Sequence, residues 1–95
     1  MFTSSTIRNT ADGKRFFPVI DSVVLPLEFD SSAELKTSMS AMIKDDVPML
    51  LALTEEAIED MERELSSAIY LYLDKRIASA RTLAVRLSGM IRQAA

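Results

Sequence analysis

Three acids, Glu55, Glu59 and Glu62, follow one another at spacings of four and three. On a helix they share one face, and clustered carboxylates can do acid–base work or hold a metal. Helical di-metal sites pair each such acid with a histidine turned into a core. This chain has neither His nor Cys. That removes the usual general base and the commonest metal ligand, together with thiolate catalysis, disulfides and Cys-based zinc sites. The three acids also fall opposite the apolar stripe that carries Ile58 and Leu65, so they read as a solvated face. Ser66 and Ser67 have no base nearby to activate them and read as small residues that permit close helix approach. Asp12-Gly13 lacks the Gly-rich pattern of a phosphate loop. No catalytic residue, metal site or cofactor is expected, and the chain reads as non-enzymatic.

Five cations, Lys75, Arg76, Arg81, Arg86 and Arg92, follow Asp74 with no acid among them. They are the candidate nucleic-acid contacts, because phosphate contact gives affinity without reading sequence. On a helical wheel most of them flank the apolar face instead of forming one stripe. Aromatics for base stacking are sparse, and the net charge of −3 disfavours a general nucleic-acid binder. Tyr70 and Tyr72 bracket Leu71 and cannot both face a core.

The element that must position these residues is the half of the chain from Pro48 onward, where no Gly or Pro interrupts before Gly89. Ile58, Met61, Leu65, Ile69, Leu73, Ile77, Ala80, Ala84, Leu87 and Ile91 recur every three or four residues, the mark of an amphipathic helix. Ile58, Ile69, Ala80 and Ile91 keep an eleven-residue period, which follows a nearly straight helix. The expectation is one long helix over 48–94, straight or kinked, or two helices with a joint near Leu73-Asp74-Lys75. Arg76 shares a register with Leu65 and Leu87 and marks a stripe edge or a break. A straight helix of about 45 residues would be roughly 68 Å long, too long for its stripe to be covered by the rest of the chain. Copies of the chain are then expected to pack through Ile58, Met61, Leu65, Ile69, Tyr72, Leu73, Ile77, Leu83, Leu87 and Ile91. Acids gather in the first part of this helix and bases in the second, so antiparallel pairing sets opposite charges together. With a bend, the same charges predict a hairpin within one chain.

Residues 1–29 read as an extended hairpin or arm. Asp12-Gly13 is a hairpin turn signal. Phe17, Val19, Val23, Leu25, Leu27 and Phe29 alternate as on a strand with one buried face, and Asp21-Ser22 reads as a second turn or bulge. Pro18 and Pro26 cannot donate to a ladder, which points to edge strands or strand ends. Exchange of this arm between subunits follows as an option, because a lone hairpin is marginal in water. Residues 31–44 read as a short helix opened by a Ser31–Glu34 capping box, with the break at Val47 before Pro48.

The 95 residues make one domain, mainly α with a β arm (α+β). Hydrophobic content of 48% with 26% charged is globular. No secretory leader or membrane-length apolar run is visible, which points to a cytoplasmic or virion-associated protein. Six methionines make for forgiving contact surfaces. The leading expectation is a homo-oligomeric assembly or interaction protein, such as a structural component of a virion or other complex, of viral or mobile-element type, an adaptor or an inhibitor. The alternative is a small nucleic-acid-binding regulator using the basic C-terminal segment.

Overall fold

A computed structural model describes residues 3–67 and 71–94. The chain forms β1 (Thr3–Thr10), β2 (Gly13–Ile20), β3 (Val23–Val24), α1 (Ser32–Asp45), α2 (Val47–Ser67) and α3 (Leu71–Ala94). The three strands make an antiparallel sheet in the order β1-β2-β3, so the fold is mainly α with an N-terminal β element.

Both hairpin turns are two residues long. Ala11-Asp12 joins the paired Thr10 and Gly13, and Gly13 takes φ +126°, a conformation open to glycine without steric cost. Asp21-Ser22 joins the paired Ile20 and Val23, and both turn residues have positive φ, 51° and 67°. Positive φ at both central positions makes this a tight turn of the type that matches strand twist. Pro18 departs from expectation, because β2 is the central strand. It is tolerated since β3 is only two residues long. The side where Pro18 lacks an N–H needs no donor there, while its carbonyl accepts from the Leu25 N–H at 2.9 Å. Nor does β2 have one buried face: Phe17, Pro18 and Ile20 are all buried.

Ser31 caps α1, its Oγ accepting from the Glu34 N–H at 3.1 Å. The break between α1 and α2 falls at Asp46, one residue before the expected Val47. Its N–H closes α1 onto the Met42 carbonyl at 2.8 Å, and its carboxylate accepts from the Met49 N–H at 3.3 Å. One residue thus ends one helix and opens the next.

The expected single helix over 48–94 is divided. α2 and α3 are separated by three residues in sequence and touch along their lengths, so they run antiparallel as a helical hairpin. Leu73, Asp74 and Lys75, where a joint was expected, lie inside α3. The longest dimension of the molecule is 40 Å, room for α3, whose 24 residues rise about 36 Å, and none for a 68 Å rod. Closure buries Leu50, Leu53, Thr54 and Ala57 of α2, and Leu73, Ile77, Ala80, Leu83 and Leu87 of α3. Both sets keep three- and four-residue spacing. Ile20, Val23, Leu25 and Phe29 from the sheet side, with Leu35 and Met39 from α1, complete one core. Thr54 is buried with its hydroxyl donated to the Leu50 carbonyl at 2.8 Å, so it is a satisfied core residue.

Candidate interaction surfaces

The stripe expected to join copies of the chain is largely spent inside one chain. Leu73, Ile77, Leu83 and Leu87 are between 0% and 4% exposed, and while the hairpin is closed they reach no neighbour. Ile58 and Met61 are half-buried against the same core, and Ile91 is half-buried near the end of α3. Ile69 and Tyr70 lie outside the described residues, as do the side chains of Leu65, Ser66, Ser67 and Tyr72. The expected meeting of acidic and basic helix segments occurs within the chain: Arg81 Nη2 donates to Glu62 Oε1 at 2.9 Å. This exposed pair contributes about 0–1 kcal/mol.

The basic series does not assemble into one surface of unpaired cations. Arg81 is held by Glu62, and Arg86 Nη1 donates to Asp21 Oδ2 at 2.9 Å, fastening the second turn to α3. Lys75, Arg76 and Arg92 are exposed. Arg76, the misfit in the helical register, sits at the edge of the buried stripe beside a cleft. Glu55, Glu59 and Glu62 are exposed, and among the described residues no group of acids is placed to hold a metal ion.

A surface that sequence reasoning did not single out by residue is the outer edge of β1. The parity of its hydrogen bonds follows from Phe16, whose N–H and C=O both pair with Phe29, each at 2.9 Å, on the side away from β1. Alternation along β2 then turns its odd residues toward β1. Their partners are Ser4, Thr6, Arg8 and Thr10. Thr3, Ser5, Ile7 and Asn9 therefore turn their main-chain donors and acceptors outward, and among the described residues these groups have no partner. From Ser4 to Thr10 every side chain of β1 is exposed, Ile7 at 54%. Thr3 Oγ1 is shielded from solvent and has no hydrogen-bond partner among the described residues. In sequence, β-branching at Thr3, Thr6 and Ile7 favours a strand only moderately, and the Asp12-Gly13 turn that follows is the stronger signal.

A second surface is the cleft between the sheet and the helical hairpin, with a volume of about 230 Å³. Phe17, Leu25 and Met61 give it apolar walls, and Arg8, Asp60 and Arg76 bring charge to it. The Arg8 guanidinium lies 4.9 Å from the centroid of the Phe17 ring, a cation–π contact. No helix among the described residues is long and apolar enough to cross a membrane. No family model, no curated protein and no solved structure matches this chain.

Proposed function

We propose that this chain is a non-enzymatic assembly protein that works as a homo-oligomer, its copies joined edge to edge through β1. The observation that carries the reading is the open side of that strand, a run of main-chain groups at Thr3, Ser5, Ile7 and Asn9 that have no partner among the described residues. An exposed edge of this kind is a template for pairing unless proline, clustered charge or a covering element blunts it. β1 has no proline and one charge, Arg8.

The strand is complementary to itself. An antiparallel two-fold pairing centred on Thr6 sets Thr3 against Asn9 of the second copy and Ser5 against Ile7, with the reciprocal pairs on the other side of the axis. Every outward group then meets an outward group, as an isologous dimer requires. Arg8 falls opposite a serine, so no like charges are opposed. The Asn9 side chain of the second copy falls beside Thr3, whose hydroxyl has no partner among the described residues. The antiparallel packing of long helices belongs in this reading to each subunit, and the sheets link subunits into a virion component or another macromolecular complex.

Absolute mass by light scattering tests the reading. The wild type is expected at twice the 10.6 kDa chain mass or a higher even multiple. Ile7→Pro removes an outward N–H without touching a β1–β2 hydrogen bond, and Ile7→Lys places a charge on the edge. Both variants are expected at half the wild-type mass or less, with an unchanged far-UV circular dichroism spectrum. A monomeric wild type at high micromolar concentration overturns self-association. An oligomer indifferent to both variants overturns the edge as its interface.

A further inference from the structure

We propose that the cleft between the sheet and the helical hairpin binds a short-chain aliphatic carboxylate. The inference is independent of self-association. It rests on an inequality among the arginines. Arg15 faces Asp30, Arg63 faces Asp60, Arg81 faces Glu62 and Arg86 faces Asp21. Arg8, Arg76 and Arg92 face no carboxylate among the described residues, and of these Arg8 and Arg76 border the cleft. Among the described residues Asp60 is the one acid lining the cleft, and its Oδ1 is engaged by Arg63. Arg8 meets Phe17 through the ring face, which uses its charge and leaves its N–H donors open. Along α3 itself, the positions a turn before and after Arg76 are Tyr72 and Ala80, so no acid at that spacing neutralises it.

Two unpaired guanidinium groups beside apolar walls are complementary to a carboxylate on an apolar body. Each fork can take a carboxylate by two parallel hydrogen bonds, and the low-dielectric walls strengthen the attraction relative to open water. Size narrows the class. The cleft, about 230 Å³, exceeds the roughly 150 Å³ that admits a benzene ring and falls below the roughly 300 Å³ at which drug-sized ligand sites begin. It suits a chain of a few carbons bearing one acid group.

The test is a titration of the uniformly ¹⁵N-labelled full chain with sodium hexanoate, followed by amide chemical shifts. Saturable shifts confined to residues 8, 17, 22–25, 57–61 and 76 are expected. Hexan-1-ol, which has the body without the charge, and acetate, which has the charge without the body, are expected to bind at least about tenfold more weakly. Arg76→Gln and Arg8→Gln each remove one charge-assisted pairing and are expected to weaken hexanoate about tenfold, while Arg92→Gln leaves it unchanged. Both cleft arginines are exposed, and the amide spectrum itself reports whether each variant is folded. Shifts that never saturate, equal binding of hexan-1-ol, or hexanoate affinity that survives both Arg8→Gln and Arg76→Gln overturns the proposal. Tighter binding of N-acetyl-leucine than of hexanoate overturns the ligand class in favour of a peptide terminus.

Discussion

Asp21 and Ser22 occupy the left-handed region without being glycine, where a side chain costs roughly 1–2 kcal/mol. Asp21 has compensation, since its carboxylate holds Arg86 of α3. Ser22 makes no comparable contact among the described residues and is exposed. Ser22→Gly is therefore expected to stabilise the fold by about 0.5–1 kcal/mol, the steric relief being partly offset by the greater freedom of glycine in the unfolded chain. A rise in the urea midpoint at constant slope is the measurement, and a fall would show that Ser22 contributes more than its position suggests. The sequence marked Asp21-Ser22 as an interruption because it broke an alternation. Alternation carries no information on dihedral angles, so the left-handed geometry and the ion pair to α3 stayed hidden.

At the scale of the element, the helix boundaries depend on single side chains. Ser31 holds the first turn of α1 through the Glu34 N–H, and Asp46 does the same for α2 through the Met49 N–H. Ser31→Ala and Asp46→Ala are each expected to cost about 1 kcal/mol, and Asp46→Asn, which keeps the accepting oxygen, much less. Chemical denaturation of the three variants side by side decides this, and equal losses from Asp46→Ala and Asp46→Asn would exclude the capping role. Ser31 was legible because a capping box is a four-residue pattern. The break at Asp46 was legible to within one residue. Proline constrains the residue before it, and the rule points to Val47, whereas an aspartate one place earlier can both end α1 and cap α2. The strands were legible as a hairpin but not as a sheet order. Whether Pro18 lies at an edge depends on how far β3 extends beside it, which no residue in β2 encodes.

For the whole molecule, sheet and helices share a single core. Ile20 from β2, Leu35 from α1, Leu50 from α2 and Leu83 from α3 are each at most 1% exposed and belong to one cluster. Leu83→Ala is expected to cost about 2–5 kcal/mol and to destabilise sheet and hairpin together. Thermal unfolding monitored by far-UV circular dichroism and by an aromatic signal should remain coincident. Separate transitions would show that the β element and the helices are independent units.

What the sequence determined by itself is local: two helical periods of apolar residues, a serine cap, a glycine turn, an acid-rich outer face and the lack of histidine and cysteine. Each is set by neighbours within about four residues, the reach of helix and turn hydrogen bonds. Only the tertiary structure decided what the long apolar stripe faces. Periodicity states that a face avoids water and is silent on whether another copy or the same chain covers it. The hairpin between α2 and α3 gave the second answer. That closure brought Arg8 of β1 and Arg76 of α3 to one cleft, and the outer side of β1, unpaired among the described residues, is where copies are proposed to meet.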